Sequence, residues 1–146
     1  MGYFLQALIG KQNILKVHAP KYKNATVIEL RENIGLIPIT DELYEEIEGE
    51  QSDEFYRLSE SVESWARLIS ADGLVAYIEA EYFGGDGGQS VVAWTGGNKC
   101  LELSFCKNAF NQVLKLLDVK PAKDSDEFDA VGLGMHRNTK DWVGNS

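Results

Sequence analysis

From residue 74 to residue 105 the side chains follow a two-residue period, interrupted only by two clusters of glycine. Few folds accommodate such a pattern. Leu74, Ala76, Ile78, Ala80 and Tyr82 fall on one face of an extended chain, and Val75, Tyr77, Glu79, Glu81 and Phe83 on the other. Two more apolar runs follow, Val91-Val92-Ala93-Trp94 and Leu101-Glu102-Leu103-Ser104-Phe105, set apart by Gly84-Gly85-Asp86-Gly87-Gly88 and Gly96-Gly97-Asn98. Glycine tolerates the positive φ of tight hairpins, so the segment predicts a three-stranded antiparallel meander. The first glycine cluster is not a phosphate cradle. That device needs a helix start with Lys and Ser or Thr, whereas Gln89-Ser90-Val91-Val92 runs on as a strand.

The flanking chain supplies more strands and a set of helices. An apolar run over residues 3–10 predicts a strand, and residues 25–30 and 35–39 predict two short strands either side of Glu32-Asn33. Pro38 lacks an N–H for the ladder and belongs at a strand end or edge. Residues 11–23 mix polarity around Pro20 and fit a loop or a short helix. Thr40 is placed as a helix cap, with Asp41 and Glu42 in the first turn, Leu43, Tyr44 and Ile47 on the buried stripe and Gly49 as the stop. Ser59 opens a second helix with Val62, Trp65, Ala66 and Ile69 at helical spacing, closed by Asp72-Gly73. Asn108 is expected to cap a third, carrying Phe110, Val113, Leu114 and Leu117, with Pro121 beyond its end. Residues 128–135 are expected to supply a last strand. The fold class is therefore α+β, with a mainly antiparallel sheet and three helices in separate blocks. A length of 146 residues fits one domain spanning 1–146, able to hold a core without metal or disulfide.

Charge narrows the function. The net charge is −9, which disfavours nucleic-acid binding, because phosphates must be met by Lys and Arg. The imbalance is local: residues 41–63 carry ten acids (Asp41, Glu42, Glu45, Glu46, Glu48, Glu50, Asp53, Glu54, Glu60 and Glu63) against Arg57 alone, while residues 1–40 are net basic. A concentrated negative field steers a basic protein partner and speeds encounter. Asp41, Glu42, Glu45, Glu46, Glu48, Glu50, Asp53 and Glu54 are the candidate partner-binding residues, with Asp86 in the glycine turn. Trp142 is a candidate either for docking the C-terminal segment or for an exposed anchor.

Chemistry has fewer candidates. Glu79 and Glu81 project from one strand face about 7 Å apart, and Glu102 joins them if the register allows, an arrangement open to acid/base work in a small hydrolase or ligand-binding domain. Cys100 and Cys106 read as buried free thiols rather than nucleophiles or a disulfide. His18 and His136 lack the companion ligands a zinc site requires. No metal or cofactor is expected. No stretch approaches the ~18 apolar residues of a membrane span, and the opening Met1-Gly2-Tyr3-Phe4 lacks the basic start of an export signal. The expectation is a cytoplasmic protein.

One further pattern runs through the chain. Gly2-Tyr3, Gly35-Leu36-Ile37-Pro38-Ile39-Thr40-Asp41, the strand from Val75 to Phe83 with Gly84-Gly85, Trp94, Asp126-Glu127-Phe128-Asp129, Gly132-Leu133-Gly134-Met135-His136-Arg137 and Asp141-Trp142 together resemble a family of small bacterial proteins. That family is similar in size and composition to the immunity proteins that protect cells from polymorphic or contact-dependent toxins. The resemblance implies a non-enzymatic interaction protein that binds and occludes a cognate basic toxin domain such as a nuclease. It supplies no catalytic residue.

Overall fold

The computed structural model describes residues 2–50, 56–83, 86–121 and 125–143. Six strands, β1 (Gly2–Lys11), β2 (Ile28–Glu29), β3 (Ile34–Pro38), β4 (Val75–Phe83), β5 (Asp86–Thr95) and β6 (Asn98–Cys106), form one sheet in the order β2-β3-β1-β4-β5-β6. Every pairing is antiparallel. The expected meander is β4-β5-β6, and its second turn is built as the glycines demand: Gly96 and Gly97 take φ of 60° and 83°, the double positive φ of a tight two-residue hairpin. At the first turn the glycines reach into the strand. Gly87 has φ 140° and a Cβ there would lie 1.9 Å from the Glu81 carbonyl oxygen.

Helices cover both faces. On one side α1 (Gln12–His18), α2 (Asp41–Glu48) and α3 (Glu60–Ser70) bury Leu15, Leu43, Val62, Trp65 and Ile69 against Leu8, Ile37, Val75, Tyr77 and Trp94. On the other, α4 (Ala109–Leu116), α5 (Glu127–Val131) and the C-terminal segment bury Phe110, Val113, Leu114, Val131, Leu133 and Trp142 against Leu5, Ala7, Ile9, Ala76, Ile78, Ala80, Val91 and Ala93. The result is an α+β fold with an antiparallel sheet between two helical layers. Thr40 and Ser59 cap α2 and α3 as expected, accepting from the N–H groups of Leu43 and Val62 at 3.2 Å each, and Gly49 ends α2 at φ 83°.

Several expectations are corrected. Five α-helices occur among the described residues, not three. Of the two options for residues 11–23 the short helix forms: α1, closed by a 3-10 turn at Ala19–Lys21 that holds Pro20. The last strand does not form. Asp126 caps α5 by accepting from the Asp129 N–H at 3.0 Å, and Gly132 stops it at φ 89°, so local caps override the apolar run. Among the described residues an isolated β-bridge, Phe4 to Asn138, pairs the chain beyond this segment with β1. Asn108 precedes α4 without capping through its side chain. Gln89 of β5 performs that function instead, its Oε1 accepting from the Phe110 N–H at 2.9 Å.

The two thiols are free but not buried: Cys100 is exposed and Cys106 half-buried. The register explains Cys100. Trp94 pairs with Lys99 and Ala93 with Leu101, leaving Cys100 as the extra residue of a bulge. A second irregularity precedes Cys106, where Phe105 takes φ 49° and is 65% exposed. Both interrupt β6, an edge strand, and bulges of this kind discourage edge-to-edge pairing.

Candidate functional site

The acidic segment divides into carboxylates the fold uses and carboxylates it leaves unpaired. Asp41 pairs with Arg57, whose Nη1 also donates to the Ile39 carbonyl at 2.6 Å and whose guanidinium lies 5.5 Å from the Tyr44 ring centre. Glu46 reaches back to the loop after α1 and accepts from the Lys23 and Asn24 N–H groups at 2.7 and 2.8 Å and from the Asn24 side chain at 3.0 Å. The Asn24 N–H bond leads in holding its carboxyl below the ordinary value, with the Lys23 N–H and the Asn24 amide adding to it. Glu48 accepts from the Ser59 hydroxyl at 2.7 Å, fastening the end of α2 to the start of α3. The side chains of Glu42, Glu45 and Glu50 make no hydrogen bond or ion pair with the described residues. Glu42 and Glu50 are exposed and Glu45 partly so, and Glu42 and Glu45, three residues apart, share the outer face of α2. Asp53 and Glu54 lie outside the described residues, and so does the side chain of Asp86, which opens β5.

A second group of acids occupies the sheet. Gln6 pairs with Glu79 and Phe4 with Glu81 across β1 and β4, Glu79 pairs with Ser90, and Tyr77 and Glu102 both pair with Val92 of β5. Glu79, Glu81 and Glu102 therefore do share one face, the α1–α3 face. They do not share one spot, because β5 intervenes and Glu102 is level with Tyr77, placing its backbone ~12 Å from that of Glu79. Glu102 is exposed and pairs with Lys99 at 3.1 Å. Glu79 is half-buried, and its Oε1 accepts from the Tyr77 hydroxyl at 2.6 Å. That hydroxyl in turn accepts from the Arg57 N–H at 3.0 Å. Burial pushes the Glu79 carboxyl above its ordinary value, the Tyr77 bond pulls it partly back, and the charge of Glu81 raises it further. No Lys or Arg among the described residues pairs with Glu79 or Glu81.

Acid/base chemistry would need an enclosed space around such a carboxyl. Four cavities among the described residues, of about 310 to 440 Å³, are lined by none of Glu79, Glu81 and Glu102. The nearest, about 310 Å³, lies one strand away between β1 and the start of α2, lined by Phe4, Gln6, Asp41, Glu42 and Arg57 on one side and Asn138, Thr139 and Lys140 on the other. Its wall is fixed by Gln6, whose backbone N–H and side chain both bond the Thr139 hydroxyl. Among the described residues no group of three or more His, Cys, Asp or Glu is placed to hold a metal. His18 pairs with Asp72 at 2.7 Å, and His136 packs edge-on against Trp142. Trp142 is 7% exposed: it docks the C-terminal segment and is not an exposed anchor, because the segment covers the apolar sheet face. Trp65 and Trp94 are core residues as expected.

Sequence reasoning missed Arg57. It is the one base among the acids of residues 41–63 and is 8% exposed. A lone base in such a run is the signal that could have marked it as the internal counterion of Asp41. No helix of the structure is long and apolar enough to cross a membrane. Comparison with known family models, with curated proteins and with solved structures finds no match.

Proposed function

We propose that this chain is a cytoplasmic immunity-type protein that binds and occludes a cognate basic toxin domain, of which a nuclease is the plainest case, and that it is not itself an enzyme. The observation that carries the reading is the set of acids without internal counterions. Glu42 and Glu45 lie on the outer face of α2 and Glu50 is exposed just beyond its end, while Glu79 and Glu81 stand on the polar half of the sheet face. A charge kept unpaired at a protein surface costs self-repulsion that a basic partner relieves, and it accelerates encounter with that partner. A cationic groove built for nucleic-acid phosphates matches such a surface in sign.

The alternative, a small hydrolase or ligand-binding domain using Glu79, Glu81 and Glu102, draws support from the raised Glu79 carboxyl alone. No second observation supports it, and that ranks it second. Two experiments separate the readings. Co-expression with a basic toxic polypeptide recovered bound to this protein from producing cells should preserve cell growth, and replacing Glu42, Glu45 and Glu50 by Lys should abolish that protection without unfolding the protein. Protection that survives the charge reversal refutes the acidic surface. Turnover of a small substrate that is lost on Glu79→Gln would favour the enzyme.

A further inference from the structure

On the opposite face, at the β2 edge of the sheet, lies a cavity that has nothing to do with the acidic surface. β2 has only two residues, so the edge ends where α5 crosses it, held there by the Arg31 N–H bonded to the Val131 carbonyl at 3.3 Å. The gap left between them is about 410 Å³, within the range of small-molecule pockets. Its apolar wall is Leu30, Val131, Met135 and Trp142.

The polar groups around it are almost all donors. Arg31 is exposed, and its guanidinium makes no hydrogen bond or ion pair with the described residues. The single lining acid, Glu29, is already paired with Lys16. The Gln12 amide is spent on the carbonyls of Leu30 and Ile34. His136 lies against the Trp142 ring at 4.7 Å between centres and carries no hydrogen bond to the described residues. The Trp142 indole N–H is fully buried, as are those of Trp65 and Trp94, so Trp142 offers the cavity its ring and not a donor. An uncompensated cation at the mouth of an apolar cavity selects an anion with an apolar body, and a guanidinium suits a carboxylate because its fork bonds both oxygens.

We propose that this cavity binds a carboxylic acid with an apolar body, the carboxylate paired with Arg31 and the body against Trp142, Val131 and Leu30. The ligand chemistry is shared by a small free acid and by the C-terminus of a peptide, so the test carries both. The full chain, labelled with ¹⁵N, is titrated with 3-phenylpropionate, with 3-phenylpropanamide and with an acetylated tripeptide ending in phenylalanine. The reporters are the Arg31 and Val131 amides and the indole N–H signal of Trp142, one of only three tryptophans. The expected result is saturable binding of phenylpropionate about tenfold tighter than of its amide, with shifts confined to the cavity. Arg31→Gln, an exposed substitution, should abolish that preference while leaving the rest of the spectrum unchanged. Tripeptide binding tighter than phenylpropionate, lost with Arg31→Gln, supports the same site and assigns it to a chain terminus. Equal binding of acid and amide, a preference that survives Arg31→Gln, or no saturable shift at the cavity overturns the proposal.

Discussion

The two faces of the sheet are built from the same strands and end differently. Facing α4, α5 and the C-terminal segment, β4 presents Ala76, Ile78 and Ala80, all buried. Facing α1–α3 it presents Val75 and Tyr77, both buried, and then Glu79 and Glu81, which are not. On this second face the apolar surface stops half-way along the strand, at the row where Tyr77 of β4 pairs with Leu8 of β1 and Val92 of β5. The difference teaches where apolar burial ends and an uncovered polar surface begins. The first face stays apolar from Leu74 to Tyr82 and contributes mainly through burial. The second carries, at the boundary of its core, carboxylates that no Lys or Arg among the described residues offsets.

Substitutions can break that comparison, and the largest effect belongs to the covered face. Ile78→Ala, at a residue 1% exposed, is expected to cost about 2–5 kcal/mol in chemical denaturation through lost burial and a residual cavity. Glu81→Gln, on the neighbouring strand position of the polar half, is expected to stay within about 0.5 kcal/mol. Equal losses at the two sites would mean the faces are not distinct. Smaller effects come from the caps: Thr40→Ala and Asp126→Ala should each cost about 1 kcal/mol, measured the same way. For Asp126, bonds led by the Asp129 N–H hold the carboxyl below its ordinary value. Its contribution is present above the ordinary carboxyl range and is lost as pH falls through the lowered value.

Glu79 should behave with the opposite sign and the smallest amplitude. Its carboxyl is raised in the folded protein, so the folded state holds its proton more tightly than the unfolded chain and is penalised at neutral pH. Glu79→Gln keeps an acceptor for Tyr77 and removes the charge, so its Tm should exceed that of the parent at pH 7. That gap should shrink as pH falls through the raised value and close below the unfolded value of about 4.3. A Gln variant less stable at pH 7 would show that the carboxylate is held for structure.

Most of the architecture was legible because period and caps speak locally. The alternation of residues 74–105, the Gly96-Gly97 turn and the Thr40 and Ser59 caps each predict what forms there. Residues 128–135 misled because an apolar run of that length suits a strand or a short helix alike, and the deciding signals, Asp126 and Gly132, flank it. Burial of the cysteines was misjudged because a bulge changes which way a residue points without leaving a mark in composition. The acidic run was legible as charge but not as geometry. Nothing local says that Asp41 answers Arg57, or that Glu46 and Glu48 fasten a loop and a helix while Glu42 and Glu45 stay unpaired. Those distinctions depend on contacts between residues 11 to 23 positions apart.

The central claim is that unpaired acids on α2 and just beyond its end draw in a basic partner, and association kinetics test it most directly. With the basic polypeptide recovered bound to this protein from producing cells, stopped-flow rates are measured across ionic strength for the parent and for a variant with Glu42, Glu45 and Glu50 replaced by Lys. Glu46 and Glu48 are left intact because the fold depends on them. The account predicts fast association that slows steeply with salt in the parent, and slower, salt-insensitive association in the variant. Equal rates and equal salt dependence for the two proteins would contradict it.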